Sequence, residues 1–304
     1  MTNTIDIKEL HALVSLIDEP NEDMYEVIRQ KIMSYGELAI SVLEDIWVNT
    51  LGENDSKRIE SIIEDIRQEI LITDFNLWAS HANNDIIEGL MIITKYFQPD
   101  FNETHYNNLL KKLYKDTWLE LNDNLTALEK IKVLNHVFYQ VYNFNIDDST
   151  VTKSEAYFLN RVFDSKKGSI MSLGILYIAI AQKLNIPIFG VDLPGHFVLA
   201  YRDENGNLSL PDSYDENSVI FYINVAKNGT AFTRSEITSY LNQINIEPNP
   251  KYYSPSTNLA VLKRMMSELV DTLELENKQL KKTGIKKLLS VILQTNNLRE
   301  SASI

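Results

Sequence analysis

The sequence has no cysteine among its 304 residues. Disulfides, thiolate metal sites and a cysteine nucleophile are therefore all excluded. Glycine is also scarce, with 10 residues, and none of them forms a glycine-rich phosphate-binding loop. Long apolar runs are missing too, because the most apolar stretch, residues 170–181, is too short to span a bilayer and favours a buried helix.

Basic residues are few relative to acidic ones. The chain has 29 Lys and Arg against 42 Asp and Glu, which gives a formal net charge of -13. A surface of that sign does not release counterions from nucleic acid, and it is repelled by anionic lipid, so neither partner is expected. The first ten residues have no basic segment followed by an apolar one, so we expect a cytoplasmic protein.

The first half of the sequence has the periodicity of helices. Apolar residues recur every three or four positions from Ile5 to about Val141, with breaks at turn residues such as Gly36. The segment Asp18 to Trp47 resembles one unit of a HEAT-like helical repeat, and an irregular helical bundle is the alternative. The three tryptophans, Trp47, Trp78 and Trp118, are expected in the core of this helical region.

The rest of the chain is organised around the stretch from Lys167 to Tyr201. Its pattern predicts a buried helix at about 170–183, a turn at 185–187, a strand at 188–193 and a second strand opened by residues 194–197. A helix start followed by a histidine on a strand is a layout suited to acyl transfer.

Several further elements flank this stretch. Asn-Gly predicts a hairpin turn within 203–207, and a β-branched and aromatic run predicts a strand at 219–223. Thr233 with Glu236 predicts the start of a helix. The remaining predicted helices lie at about 126–141, 259–273 and 285–292.

Short motifs in this region carry a family resemblance. They are Lys166-Lys167-Gly168, Ser172-Leu173, Leu184-Asn185-Ile186-Pro187, Gly190-Val191 and Pro194-Gly195-His196-Phe197. Together they resemble the transglutaminase-like core, a rearranged relative of the papain-type peptidase fold. More narrowly, the chain resembles bacterial proteins in which a helical region precedes that core and tetratricopeptide-like helices follow it.

The resemblance implies an α+β fold that is mostly helical. Its expected parts are a HEAT-like helical region at 1–122, a papain/transglutaminase-like core with a small antiparallel sheet at 123–245, and an extended linker with a C-terminal helical pair at 246–304.

In active members of the superfamily, a cysteine at the helix start attacks an acyl carbon, a histidine on the next strand activates it, and an aspartate on the following strand orients the histidine. The resemblance puts Ile170 at the position of the cysteine, His196 at the histidine and Asn224 at the aspartate. Isoleucine has no nucleophilic atom, whereas asparagine can still orient a histidine.

Two interpretations of these residues stay open. Ser169 either caps the helix or replaces the thiol, and His196 is either a surviving general base or a partly buried histidine held by Asn224 and a backbone group. In both cases the His196 ring and the Asn224 side chain are expected to face each other near the start of the 170–183 helix.

The function predicted on this basis is that of a non-catalytic transglutaminase-like protein, a binding or scaffold module with a protein or peptide partner. The alternative is a hydrolase or acyltransferase that uses Ser169 with His196 and Asn224. No cofactor and no metal site are predicted, because the other four histidines (His11, His81, His105 and His136) show no ligand spacing.

Overall fold

The computed structural model describes residues 7–48, 53–81, 84–146, 153–203 and 218–302. The chain divides into two compact units, residues 1–77 and residues 78–304. Apart from Asp203, the hairpin turn predicted within 203–207 lies outside the described residues.

Four described helices build the first unit: α1 (Ile7–Val14), α2 (Glu22–Met33), α3 (Glu37–Trp47) and α4 (Glu53–Ser80), whose last three residues belong to the second unit. Asn21 starts α2 by accepting a hydrogen bond from the backbone N–H of Met24 at 3.0 Å. The helices bury a shared apolar cluster that includes Ile32, Leu43 and Ile62. The helix pair α2 and α3 fills the segment that resembles a HEAT unit, and a repeat array stays a prediction.

The second unit combines helices with two small sheets, so the α+β fold class is confirmed. Strands β1 (Asn145–Ile146) and β2 (Lys167–Gly168) pair in parallel, and β3 (Ile188–Leu193), β4 (His196–Arg202), β5 (Val219–Asn224) and β6 (Thr230–Phe232) form an antiparallel sheet in that order. The described helices are α5 (Ile86–Phe97), α6 (Glu103–Glu120), α7 (Ala127–Asn135) with a π-helical continuation (His136–Val141), α8 (Leu159–Ser165), α9 (Ile170–Lys183), α10 (Arg234–Gln243), α11 (Asn258–Leu275) and α12 (Gln279–Ala302).

Helix α9 and the two strands after it lie where the sequence predicts them. Ser169 caps the helix, and Asn185 turns the chain into β3 with a φ of 56°. The turn at Pro194-Gly195 joins β3 to β4, since Leu193 pairs directly with His196 and Gly195 takes a φ of 72°.

Different helices cover the two faces of the antiparallel sheet. On one face, Gly174 of α9 lies under the ring of Phe197, and Val261 of α11 lies over Gly190. On the other face, Ile237 and Leu241 of α10 pack into the apolar cluster formed by Val191, Leu193, Val198, Ala200, Tyr222 and Tyr253. Arg264 of α11 bonds to Asp192 and so fixes α11 to the end of β3.

The prediction that all three tryptophans are core residues was wrong for two of them. Trp78 is buried, and its Nε1 donates to the carbonyl of Asp85 at 2.7 Å. Trp118 is 64% exposed, because the buried stripe of α6 includes Leu113 and Thr117, and the next residue points about 100° away from that stripe. Trp47, at the end of α3, is 43% exposed.

None of the helices in the described part of the chain has the length and hydrophobicity needed to cross a membrane.

Candidate functional site

The position implied for the nucleophile is the first residue of α9. Ile170 is half-buried there, and its side chain has no atom that could attack an acyl carbon. The neighbouring Ser169 is buried, and its Oγ accepts the backbone N–H of Ser172 at 3.0 Å while donating to the Ser172 hydroxyl at 3.2 Å. Ser172 in turn donates to the carbonyl of Ala156 at 2.7 Å. Both serines therefore act as helix-capping and core hydrogen-bonding groups.

His196 opens β4 directly after the Pro194-Gly195 turn. Its side chain is exposed, and its ring meets the ring of Tyr240 edge to face, with centroids 4.9 Å apart. The Tyr240 hydroxyl donates to the carbonyl of Pro194 at 2.9 Å, which fixes α10 against the turn. Among the described residues, none forms a hydrogen bond with the His196 ring. The interpretation of His196 as a partly buried, hydrogen-bonded histidine therefore does not match its surroundings.

The faces of β4 separate His196 from the start of α9. A side chain added at Gly174 of α9 would lie 2.6 Å from the ring of Phe197, so Phe197 points towards α9. Because consecutive side chains on a strand point to opposite faces, His196 points towards α10, where Tyr240 contacts it. Within the described residues, Ser169 and His196 share no hydrogen bond, and they pack against different elements.

Asn224 ends β5 on the same face as His196. The preceding residue, Ile223, pairs with Leu199, so Asn224 lies opposite Val198 in the sheet. Side chains opposite each other point to the same face, so the Asn224 side chain points to the face that α10 covers. The side chain of Asn224 is half-buried and forms no hydrogen bond within the described part of the chain, while its carbonyl accepts the N–H of Gly229 at 3.0 Å.

His196 and Asn224 line one cavity of about 420 Å³, which we call the α10 pocket. That volume is within the usual range for ligand-binding pockets, about 300–1,000 Å³. The structure therefore brings together two of the three predicted site residues, and Ser169 is not among those lining the pocket. The other residues that line it are Leu193, Val198, Lys227, Thr230, Ala231, Phe232, Glu236, Ile237 and Tyr240.

The two charged residues of the pocket, Glu236 and Lys227, differ in the contacts that their side chains make. The Glu236 carboxylate accepts both the N–H and the hydroxyl of Thr233, at 2.8 and 3.0 Å, in a capping box that starts α10. These hydrogen bonds, together with the nearby positive charge of Lys227, hold the pKa of the Glu236 carboxyl below its ordinary value. Lys227 is exposed, and its ammonium forms no ion pair with any described carboxylate.

The turn that carries Lys227 is held from below by α7 and its π-helical continuation. Asn135 donates to the carbonyl of Gly229 at 2.9 Å and accepts the hydroxyl of Tyr177 at 2.9 Å, while Tyr139 donates to the carbonyl of Val225 at 3.2 Å. Tyr177 is fully buried, and that burial raises the pKa of its hydroxyl well above the ordinary value. The turn is therefore anchored in the core of the second unit.

Sequence reasoning did not identify Lys227, Tyr240 or Asn135 as parts of the site. The Asn228-Gly229 pair was a usable signal for the turn, since both residues take positive φ there, 49° and 72°. Nothing local to Asn135 or Tyr240 indicates the site. Among the described residues, no group of three His, Asp or Glu side chains is placed to hold a metal ion.

The chain is similar to a known family of domains and to several bacterial proteins. Residues 104–267, more than half of the chain, match the domain described as Transglutaminase-like superfamily. The chain is 24% identical over 190 residues to a UPF0162 protein of Buchnera aphidicola, which covers 62% of this chain and 65% of that protein. It is 34% identical over 96 residues to UPF0162 protein PM0557 of Pasteurella multocida, which covers 32% and 36%. It is 22% identical over 192 residues to protein SirB1 of Salmonella typhimurium, which covers 63% and 66%.

The aligned regions thus span between about a third and two thirds of these relatives. No solved structure matches the chain significantly.

Proposed function

The chain belongs to the transglutaminase-like superfamily, and we propose that it is a non-catalytic member that binds a protein or peptide partner through the α10 pocket. The observation that carries the proposal is the separation of His196 from the start of α9. His196 lies with Tyr240 on one face of the sheet, whereas Ile170 and Ser169 begin the helix that packs on the other face. A nucleophile and its base need to be within hydrogen-bond reach.

The chemistry of the α10 pocket supports binding. Its floor is apolar, because Leu193, Val198 and Ile237 are buried there. Its rim offers the polar side chains of His196 and Asn224, which have no hydrogen-bond partner among the described residues. An apolar cavity with a few convergent polar groups is the usual form of a ligand site.

Acyl transfer by Ser169 has less support. Its hydroxyl is engaged with Ser172, and capping a helix is worth about 1 kcal/mol, which accounts for a serine at this position without any catalytic role. The scaffold role and the cytoplasmic location both stay predictions.

A peptide-display selection tests the proposal. The full chain, immobilised, is used to select from two phage-displayed libraries of random dodecapeptides, one with free N-termini and one with free C-termini, in parallel with a His196→Ala/Asn224→Ala variant. We expect an enriched motif on the natural chain that is lost on this variant. The matched control is His105→Ala/Asn108→Ala on α6, because His105 is also exposed and also contacts a tyrosine ring edge to face, at 5.0 Å.

Two results would contradict the proposal. One is a selection in which the natural chain and the pocket variant enrich the same motif, or in which neither enriches any. The other is hydrolysis of p-nitrophenyl acetate above the rate of the denatured chain that falls at least tenfold in His196→Ala or Ser169→Ala, because that loss would show a working catalytic pair.

A further inference from the structure

The α10 pocket presents donors of hydrogen bonds and a positive charge at one end of the sheet. Lys227 carries the charge, Asn224 carries an amide with two N–H donors, and the ring of His196 carries at least one N–H. We propose that this pocket holds the terminal carboxylate of a peptide whose last side chain is apolar. This inference rests on the proposed function and specifies its ligand.

A carboxylate is the group that these three side chains complement. An ionised carboxylate is an acceptor only, and its two oxygens can receive several hydrogen bonds. Hydrogen bonds from charged donors to a carboxylate are about twice as strong as neutral ones. The pocket's own carboxylate on Glu236 does not fill this role, because its Oε2 accepts both hydrogen bonds from Thr233 and it forms no ion pair with Lys227 within 4 Å.

The apolar floor adjoins the polar donors, and this arrangement favours a chain terminus. Asn224 lies across the β4–β5 ladder from Val198, as the pairing of Leu199 with Ile223 requires. Val198 and Ile237 form part of the buried floor. In the last residue of a peptide, the carboxylate and the side chain leave the same Cα atom, so one residue can meet the donors and the floor together.

The charge of the second unit does not prevent anion binding. Residues 78–304 contain twenty-five acidic and twenty-three basic side chains, so this unit is nearly neutral. Most of the acidic excess of the chain lies in residues 1–77, which contain seventeen acidic and six basic side chains. Within the pocket, Lys227 carries one positive charge and Glu236 one negative charge, and the Oε2 atom of Glu236 is already occupied by Thr233.

Three synthetic peptides test the inference against the full chain. They are acetyl-trialanyl-leucine with a free terminal carboxylate, the same peptide as its terminal amide, and acetyl-dialanyl-leucyl-aspartate as its terminal amide. Affinity is measured by calorimetry, and the site is located by the chemical shifts of the Asn224 side-chain amide and the Gly229 backbone amide.

We expect the free acid to bind at least tenfold more tightly than its amide, which corresponds to about 1.4 kcal/mol. Lys227→Met should weaken binding of the free acid about tenfold and leave binding of the amide unchanged, because a hydrogen bond to a charged group contributes on that scale. Lys111→Met, at an exposed lysine of α6, is the matched control and should change neither affinity.

The possible results distinguish a failure of the carboxylate assignment from a failure of the proposed binding function. Equal binding of acid and amide, or an unchanged affinity in Lys227→Met, would overturn the carboxylate assignment while the display motif still supported a binding module. Preference for the aspartate peptide over the leucine acid would overturn the assignment to a chain terminus. Absence of binding by all three peptides, with no display motif, would overturn both.

Discussion

Replacing Gly229 with alanine should show how strongly the turn beneath the α10 pocket depends on Asn135. Gly229 takes a φ of 72°, a conformation that costs an L-residue about 1–2 kcal/mol. A methyl group at this position would also overlap the side-chain amide of Asn135, which supplies all three of its nearest neighbours. The substitution therefore combines backbone strain with displacement of a hydrogen-bonded side chain.

The displacement has a calculable cost because Asn135 bonds on both sides. Its amide nitrogen donates to the carbonyl of Gly229, and its amide oxygen accepts the hydroxyl of Tyr177. Tyr177 is fully buried, so its hydroxyl would lose a partner without gaining water, at about 1–3 kcal/mol. With about 1–2 kcal/mol of strain, Gly229→Ala should lower the free energy of unfolding of the second unit by about 3 kcal/mol.

The same substitution should cost much less where Asn135 is already truncated. In an Asn135→Ala background, the methyl group at position 229 meets no amide, and the Tyr177 bond is already lost, so only the strain of about 1–2 kcal/mol remains. The two substitutions should therefore show a coupling of about 1–2 kcal/mol in a double-mutant cycle.

Native-state hydrogen exchange of the full chain is the appropriate assay. Exchange of buried amides in β4 and β5, such as those of Leu199 and Ile223, reports opening of the second unit, whereas a single unfolding midpoint would mix two units. If the losses in the free energy of unfolding caused by Gly229→Ala and Asn135→Ala add to within about 0.5 kcal/mol in the double variant, the predicted coupling between the two residues is wrong. Gly36→Ala in the first unit is the control for strain without overlap, because its φ is 59° and a methyl group there meets nothing within 4 Å; its effect is read from exchange of first-unit amides such as that of Leu43.

Three further predictions follow from other contacts. Burial raises the pKa of Glu276, but hydrogen bonds from Ser154 and Lys278 outweigh it and leave the pKa lowered. Glu276 therefore stabilises the fold above its unfolded pKa of about 4.3, and this contribution is lost as the pH falls further. In Glu276→Gln the free energy of unfolding should depend less steeply on pH below about pH 4.3, and an unchanged pH dependence would contradict this. Raising NaCl from 0.05 to 0.5 M should slow hydrogen exchange in the strongly acidic first unit more than in the second, since salt screens its self-repulsion, and equal effects would count against it. Ile170→Cys supplies a lone thiol, and adding His196→Ala should change its rate of alkylation by iodoacetamide less than twofold, whereas a tenfold loss would show that the two positions meet.

Much of the local structure of the second unit could be predicted from the sequence. The boundaries of α9 and β3 follow from short-range signals: Ser169 can cap a helix, Asn185 tolerates a positive φ, and Pro194 with Gly195 makes a tight turn. Each of these signals acts over a few residues, so no knowledge of the rest of the fold is needed to interpret them.

The environment of the site could not be predicted in the same way. Alternation along β4 shows that His196 and Phe197 point to opposite faces, but it does not show which helix covers which face. That choice depends on distant parts of the chain: Asn135 reaches the turn at Gly229 across 94 positions. Tyr240 is likewise brought to His196 by the packing of α10, which no local pattern encodes.

The two faces of the sheet differ in how closely they are packed. On the α9 face, Phe197 is held between Gly174 and Gly190 and lies beneath the guanidinium of Arg264, 5.6 Å from the ring centroid, so that face is closed by packing. Turning His196 towards α9 would need a one-residue shift in the pairing of β4. That shift would move Phe197 out of this position and turn all the remaining side chains of the strand to the opposite face. The packing that stabilises the sheet therefore keeps His196 in the α10 pocket, where we propose that it contributes to binding.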